Sequence, residues 1–359
     1  MISSYKLSFP LTVFILLFAF QIDASTRHTG MIEDSKFIVD VPENANGDVL
    51  FLARGYRPES LPLSAVYEEE TVFFQTLLQE GWTIASPSFA GNRWIMADGV
   101  KDLIALRGHV NKNIINIKRA FIYAETMGGG ITALLAEQSP QGFDGAISLG
   151  AHHYEEPQWQ VPDNPKIASY LPGNPKFPIL LMSNDGEASS SRMYVEHAKK
   201  AKYPPVLWTV SRPGHVNLNS AERLSALRAL VKWAESGKRP QAKAALQIMK
   251  PVSRAAFKAS YAAGQVTRTR PLYGNIYTNF VMADLTKLGI QLGDKFTFIH
   301  KNNAVGITFV KAYSDVPLGE WLAFIDPESY VQVSRNYENA AATFHVKKGD
   351  AIMIENTND

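Results

Sequence analysis

The stretch Arg119-Ala-Phe-Ile-Tyr-Ala-Glu-Thr-Met-Gly-Gly-Gly-Ile131 carries most of the information about the fold. An apolar run that favours a strand passes through small residues into a segment that favours a helix. Such a junction is typical of a nucleophile elbow, where one residue takes a strained backbone conformation and its side chain stands above the sheet. Thr126 holds the middle position, with Ala124 and Gly128 as the small residues around it. We therefore expect the Thr126 hydroxyl to stand above a buried sheet.

Short apolar runs of the same kind recur over the first 240 residues and alternate with longer helical patterns. Continuous apolar runs predict strands that are buried on both faces, as in a parallel sheet covered by crossover helices. The alternation therefore predicts a doubly wound α/β domain. The seven predicted strands are residues 37–41, 48–53, 82–86, 119–123, 145–149, 178–182 and 206–211.

The pattern of residue types along the chain changes after residue 240. Residues 241–270 contain six basic side chains and no acidic one, and their pattern predicts a helical connector with a solvated basic face, or else an anion-binding surface. Beyond residue 271, short β-type runs are broken by Gly, Asn, Asp and Pro. We expect a second, mainly β domain over residues 271–359.

The first 24 residues form a separate segment. Lys6 precedes the apolar run of residues 11–20, and a short polar stretch then ends at Ala24. This is the pattern of a secretory signal peptide, because a membrane-spanning helix needs about 20 apolar residues. We expect cleavage near Ala24, export to the periplasm or the cell exterior, and no membrane span in the mature protein.

The composition excludes several kinds of chemistry. The chain has 359 residues, of which 46% are hydrophobic, and no cysteine, so thiol nucleophiles, disulfides and zinc–thiolate sites are excluded. A formal net charge of +2 offers no field that would attract nucleic acid. The eight histidines form no HExxH pair, and the run Gly128–Gly130 lacks the spacing of a nucleotide-binding loop. We expect neither a metal nor a cofactor.

Four further segments bear on the kind of α/β fold. They are residues 51–56 at the end of a predicted strand, residues 81–88, residues 97–106 in a predicted helix, and residues 143–147 after the elbow helix. In this order, together with the elbow, they resemble the α/β-hydrolase fold, most closely that of secreted bacterial esterases and peptidases. The resemblance implies an α/β-hydrolase domain over residues 25–240.

The same resemblance implies the chain order nucleophile, acid, histidine. Asp185 follows a late predicted strand and His215 follows the last one, so the implied catalytic triad is Thr126, Asp185 and His215. Glu187 is a second possible acid. In this family His215 would take the hydroxyl proton and return it to the leaving group, while the acid would hold the imidazole.

Backbone amides would supply the implied oxyanion hole, from Met127 and from Gly55 or Tyr56. Two positions depart from the family pattern. Thr126 stands where serine is usual, and its methyl group stiffens the side chain and crowds the elbow. Arg54 stands where a histidine often precedes the glycine, and it could bind an anionic substrate group or form a surface ion pair.

Residues 151–176 lie where this fold inserts its cap. The segment is short, so it predicts only a small lid. Tyr154, Trp159 and Tyr170 could line an apolar pocket for the substrate or simply pack against the domain.

The C-terminal module carries a second set of motifs. They are residues 272–280, residues 312–324, residues 336–341, and Gly349-Asp350 before a final apolar strand. Together they resemble the C-terminal β-domain of the S-adenosylmethionine hydroxide adenosyltransferase and fluorinase family. The resemblance implies possible subunit contacts, as in trimeric relatives, and contacts to an adenosyl group from Tyr273, Asn275, Ser329 and Ala340.

Two departures weaken the transfer of function from that family. Glu338 places a carboxylate beside the implied ligand, where the family commonly has a glycine or a basic residue. The N-terminal domain that supplies the catalytic residues of the family is replaced by the hydrolase-like domain. We therefore expect no adenosyltransferase activity.

Three functions follow as hypotheses. The first is hydrolysis of a small carboxylic ester or related acyl substrate through a threonyl acyl-enzyme, without a cofactor. The second is a catalytically degenerate hydrolase fold that serves as an exported binding protein for a ligand or an extracellular protein target. The third is nucleoside binding by the C-terminal domain through Asn275 and Ser329.

Overall fold

The structure is a computed structural model that describes residues 25–138, 142–153, 171–212, 214–244, 251–258, 260–270 and 273–356. The predicted signal peptide lies outside the described residues, as do Tyr154, Trp159 and Tyr170 of the predicted lid. In the described part of the chain, no helix combines the length and apolar character that crossing a membrane requires.

The N-terminal domain is built on one mixed sheet. Its strands in the described residues are β1 (Ser25–Ile32), β2 (Ser35–Pro42), β3 (Asp48–Ala53), β4 (Thr83–Pro87), β5 (Arg119–Glu125), β6 (Gly145–Leu149), β7 (Ile179–Asn184), β8 (Val206–Val210) and β9 (Lys243–Ala244). They follow the order β1-β2-β4-β3-β5-β6-β7-β8-β9. β2 is antiparallel to both neighbours, and the pairs from β4 to β9 are parallel. All seven predicted strands are present, whereas β1 and β9 were not predicted.

Helices cover both faces of this sheet, which confirms the doubly wound architecture. They are α1 (Val72–Gln79), α2 (Met96–Asn113), α3 (Met127–Gln138), α4 (Ser189–His197) and α5 (Ser220–Ser236). The core on one face includes side chains of α2, α3 and α4, and the core on the other face includes those of α1 and α5. All six residues of β3 are buried, because a central parallel strand is covered on both sides.

The C-terminal domain is a closed β structure, and the expectation of a mainly β domain is confirmed. Its elements are β10 (Ala256–Phe257), β11 (Tyr261–Thr269), β12 (Ile276–Val281), α6 (Met282–Lys287), β13 (Lys295–His300), β14 (Asn303–Phe309), β15 (Trp321–Ile325), β16 (Tyr330–Arg335), α7 (Ala340–Phe344) and β17 (Ala351–Asn356). The order is β10-β11-β12-β16-β15-β14-β13-β17, and β17 also pairs with β11. That last pairing closes the sheet around its own apolar core.

The helical connector predicted for residues 241–270 is wrong where the structure describes it. The segment contributes β9, β10 and the nine-residue β11, so the C-terminal sheet begins before residue 271. β11 contains two alanines and its sequence locally favours a helix, but it pairs with both β12 and β17. Pairing on both edges outweighs local propensity. The basic side chains at its end therefore face the first domain instead of solvent.

Ion pairs and hydrogen bonds join the two domains along a seam. Glu68 of the first domain binds Arg270 Nε (2.5 Å) and Arg268 Nη1 (3.1 Å) at the end of β11. Further along, the backbone N–H and the hydroxyl of Ser220 donate to Glu328, at 2.6 and 2.5 Å. The seam thus fixes the C-terminal domain against the loop that follows β3 and against the start of α5.

The Glu68 carboxylate holds this seam as an anion. Burial by itself would raise its pKa, but Arg270, Arg268 and Arg223 together lower it. Replacing this carboxylate leaves Arg268 and Arg270 without the charged partner that they share.

We expect Glu68→Gln to lower the free energy of unfolding by about 1–3 kcal/mol, because two arginines lose their charged partner in a partly buried site. Glu70→Gln is the matched control: Glu70 pairs with Lys348 at the exposed surface, and such pairs contribute about 0–1 kcal/mol. Urea denaturation of the two variants measures the difference. Equal midpoints for both would contradict the importance of Glu68.

Asp326 gives the seam a pH dependence. It is 4% exposed, and burial raises its pKa to about 7 although the Tyr330 N–H donates to it. An unfolded aspartate ionises near pH ~3.9, so the folded state holds an extra proton between about pH 4 and pH 7. Stability supplied by this group is present below that window and is lost as the pH rises through it.

We therefore expect Asp326→Asn, which keeps the acceptor for Tyr330, to gain stability relative to wild type as the pH rises. The difference in unfolding free energy should grow by about 1 kcal/mol or more between pH 5 and pH 8. Denaturant midpoints at four pH values measure it. A difference that stays constant with pH would disprove the buried titration.

Candidate active site

The turn between β5 and α3 has the geometry of a nucleophile elbow. Thr126 has a φ of +49°, a conformation rare for a β-branched residue, and its N–H donates to the Leu149 carbonyl (2.8 Å). At Gly128 a Cβ atom would lie 1.9 Å from the carbonyl oxygen of Ala53. Only glycine allows the helix to pass so close to the neighbouring strand, as the sequence predicted.

The methyl group of Thr126 packs directly on Gly55. A Cβ added at Gly55 would lie 2.0 Å from Thr126 Cγ2, and its next contacts, at 3.5 Å or more, are ordinary. The glycine therefore makes the room that threonine needs where serine is usual. With one staggered position filled by the methyl group, fewer remain for the hydroxyl.

His215 is bound by Glu187 and not by Asp185. Glu187 Oε2 accepts a short hydrogen bond from Nδ1 of His215, and its Oε1 accepts from the Val216 N–H (3.0 Å). Asp185 Oδ2 instead accepts from the Ser211 hydroxyl. The assignment of Asp185 as the acid is therefore wrong. Asp185–Glu187 form a 3₁₀ turn after β7, and this turn directs the Glu187 carboxylate toward His215.

The loop that carries His215 is pinned by residues that the sequence analysis missed. Asn184 makes two hydrogen bonds with the backbone of Asn217, one donated by its amide (3.0 Å) and one accepted (2.8 Å). Arg212 also donates to the Asn217 carbonyl (2.8 Å) and forms an ion pair with the buried Glu222. The position of Asn184, directly before the acid-bearing turn, was the available signal.

Thr126 and His215 both lie next to His152, whose N–H donates to the Thr126 carbonyl (3.4 Å) and whose ring centroid is 5.7 Å from that of His215. Within the described residues no hydrogen bond joins the Thr126 hydroxyl to His215, and no partner occupies His215 Nε2. The His215 side chain is 51% exposed. Apo sites are often loose in this way and tighten when substrate binds.

Aromatic rings form a wall from the Gly55 loop to His215. The ring centroids of Tyr56 and Trp94 lie 5.7 Å apart, those of Trp94 and His152 6.2 Å, and those of His152 and His215 5.7 Å. Trp94 Nε1 is buried and has no hydrogen-bond partner in the described chain. No spacing in the sequence groups these rings, because they come from four separate loops.

Three backbone N–H groups near Thr126 are available to an oxyanion. Those of Gly55, Tyr56 and Met127 donate to no described residue. Met127 is the first residue of α3, where N–H groups have no partner within the helix. These are the groups that the sequence predicted for the oxyanion hole, and they remain unpaired.

Arg54 binds the loop that carries Gly55 and Tyr56. Its guanidinium donates to the carbonyl oxygens of Gly55 (3.0 Å), Ser88 (2.8 Å) and Gly91 (2.8 Å). Burial, helped by the nearby Arg57, lowers the pKa of Arg54 to about 9. The interpretation of Arg54 as a ligand for anions or a surface ion pair is wrong, because main-chain oxygens use its donors.

Three of the four predicted adenosyl contacts, Tyr273, Asn275 and Ala340, lie around Gly274, whose carbonyl accepts from the Ala341 N–H (2.8 Å), and Ser329 lies apart. Tyr273 lies at the seam, where its hydroxyl donates to the Tyr56 carbonyl (3.4 Å). Asn275 and Ala340 are buried. Asn275 precedes β12 and Ser329 precedes β16, and the antiparallel pairing of these six-residue strands separates their starts by about 15 Å. Nucleoside binding by the C-terminal domain stays a prediction.

An open depression on the C-terminal domain, of about 640 Å³, is lined instead by neighbours of those residues. Its lining includes Arg270, Gly274, Asn339 and Ala341. None of the four predicted contacts lines it.

Comparison with known proteins agrees with this two-part architecture. Residues 272–353 match the family model of the SAM hydroxide adenosyltransferase C-terminal domain. The chain joins this domain to an α/β-hydrolase fold. No curated protein matches the chain at a significant level.

Several solved structures are similar to parts of the chain. An uncharacterised conserved protein from Thermotoga maritima has 21% identity and a TM-score of 0.27, over 35% of this chain and 48% of its own. The acylaminoacyl peptidase of Pyrococcus horikoshii has 15% identity and a TM-score of 0.47, over 60% of this chain and 42% of its own. An esterase of Pyrococcus furiosus has 15% identity and a TM-score of 0.43, over 59% and 88%. The chain thus spans less than half the length of the first two.

The contact between Gly55 and the Thr126 methyl group can be tested through stability alone. We expect Gly55→Ala to cost about 1–3 kcal/mol in wild type, because the new methyl overlaps Thr126 Cγ2, and clearly less in a Thr126→Ser background. A double-mutant cycle by urea denaturation gives the coupling.

Gly108→Ala is the control for that cycle. A Cβ at Gly108, within α2, would meet nothing within 4 Å, so its effect should be the same in both backgrounds. Equal costs of Gly55→Ala in both backgrounds would show that the methyl group does not face Gly55.

Proposed function

We propose that the N-terminal domain hydrolyses a carboxylic ester or a related acyl substrate, with Thr126 as nucleophile, His215 as general base and Glu187 as the acid. The observation that supports this most is the carboxylate-bound His215 beside a threonine held at positive φ between a strand and a helix. A residue held at positive φ lowers stability, and such strained residues cluster at functional sites.

In this proposal His215 Nε2 takes the Thr126 hydroxyl proton as the oxygen attacks the acyl carbon. The tetrahedral intermediate collapses, the C–O bond to the leaving alcohol breaks, and the protonated imidazole gives its proton to that alcohol. Water then attacks the threonyl ester through the same two proton transfers. Glu187 keeps Nδ1 protonated and stabilises the imidazolium between the transfers.

The negative charge of the intermediate is stabilised by the N–H groups of Met127 and of Gly55 or Tyr56. Arg54 supports the second of these contributions. Its charged donor at the Gly55 carbonyl polarises the peptide unit whose other end is the Tyr56 N–H, and hydrogen bonds in series strengthen one another.

The second hypothesis, a binding protein without catalysis, draws support from the absence of a hydrogen bond between the Thr126 hydroxyl and His215 in the described residues.

Export is also proposed, and it rests on the pattern of residues 1–24 alone. In either case the ligand or substrate would be met outside the cytoplasm.

Rates with p-nitrophenyl esters of short and medium chain length test the proposal. We expect Thr126→Ala to lower kcat/KM by about 1,000-fold or more, because the acyl-enzyme is lost, and Thr126→Ser to keep or raise activity. Equal rates for wild type and Thr126→Ala would favour the binding protein.

The same assay separates the two carboxylates. Glu187→Gln should lower kcat by about 100-fold or more, since loss of the acid next to a catalytic histidine disturbs its tautomer and charge. Asp185→Asn, which keeps an acceptor for Ser211, should stay within about 3-fold of wild type. The reverse order would restore Asp185 as the acid.

A further inference from the structure

Arg57 is a buried cation beside the active site that the reaction described above does not use. Its residue exposure is 6%. Its Nη1 donates to the Ser64 carbonyl (2.6 Å), and the Tyr273 hydroxyl of the C-terminal domain is its other polar neighbour. Among the described residues no carboxylate contacts its guanidinium. Glu59, on the same loop, pairs with Arg93 instead.

A guanidinium has five N–H donors, and those of Arg57 are poorly used inside the protein. Burial, with a smaller contribution from Arg270, lowers the pKa of Arg57. Arg54 adds a second positive charge nearby, and its donors go to neutral carbonyl oxygens. A buried charge without a counter-charge is destabilising, and a bound anion removes that cost.

The position of Arg57 links this charge to the reacting groups. It follows Gly55 by two residues, so their Cα atoms are at most about 7 Å apart, and Gly55 touches the Thr126 methyl group. Tyr273 reaches the intervening Tyr56. Arg57 and Tyr273 therefore flank the loop whose Gly55 touches the Thr126 methyl group.

We propose that Arg57 and the Tyr273 hydroxyl bind a carboxylate of the substrate, so that the enzyme acts on acyl compounds that carry a free carboxylate besides the bond that is cleaved. This rests on the proposed hydrolase function. One guanidinium with one phenol matches a singly charged, planar carboxylate, whereas a phosphate monoester brings a charge of about −2. The C-terminal domain thereby completes the substrate site.

Matched ester pairs test the proposal on the full chain. One pair is p-nitrophenyl hydrogen adipate against p-nitrophenyl hexanoate, with the carboxylate on the acyl side. The other is 4-acetoxybenzoate against its methyl ester, with the carboxylate on the leaving group. In at least one pair the wild type should prefer the anionic ester, and Arg57→Gln should lower that ratio of kcat/KM by about 10–100-fold.

Two further variants sharpen this result. Tyr273→Phe should lower the same ratio by about 2–10-fold, the effect of a neutral hydrogen bond, and it serves as the test if Arg57→Gln does not fold. Arg228→Gln, an exposed arginine on α5 that pairs with Glu80, is the control for net charge and should leave the ratio at the wild-type value.

A binding measurement separates failure of this proposal from failure of the hydrolase function. Adipate should raise the melting temperature of Thr126→Ala, which cannot turn over, and should not raise that of Arg57→Gln. If no ester is hydrolysed but this difference appears, the carboxylate site stands and the hydrolase function fails. A wild type without preference in either pair, or an equal adipate shift in both variants, would overturn the carboxylate site.

Discussion

The close passage of the elbow beneath the loop that follows β3 is the constraint on which the active site depends. Thr126 turns with positive φ from a buried strand into a buried helix, and both Gly55 and Gly128 are needed where other backbone or side-chain atoms leave no space for a Cβ. The same contact places the loop of Gly55 and Tyr56 against Thr126. Strain at one residue is thus held in place by packing on every side.

Hydrogen bonds and ion pairs connect this loop to the rest of the protein. Arg54 donates to the Gly55 carbonyl, and Glu68, further along the same loop, pairs with Arg270 at the end of β11. Tyr273 of the C-terminal domain donates to the Tyr56 carbonyl. Because Tyr273 of the C-terminal domain contacts Tyr56, on the loop that touches Thr126, this domain lies beside the candidate site as well as against the scaffold. Arg57 lies where these interactions meet, buried and, among the described residues, without a carboxylate partner.

The comparison of sequence and structure differs from element to element. The strands of the first domain were predictable because they are apolar throughout, a pattern that only a sheet covered on both faces requires. β11 was not, because its alanines and basic residues acquire their meaning from two neighbouring strands and from Glu68. The distinction between Asp185 and Glu187 depends on which way a single 3₁₀ turn directs each carboxylate.

The sequence by itself determined the chain positions of seven strands and the elbow with Thr126 and Gly128, since each follows from local pattern and from spacing between buried runs. Only the tertiary structure decided which acid binds His215, that the Arg54 guanidinium binds main-chain oxygens, and that Ser329 lies apart from the other predicted adenosyl contacts. These properties depend on the directions of side chains from segments far apart in the chain, which local propensity does not encode.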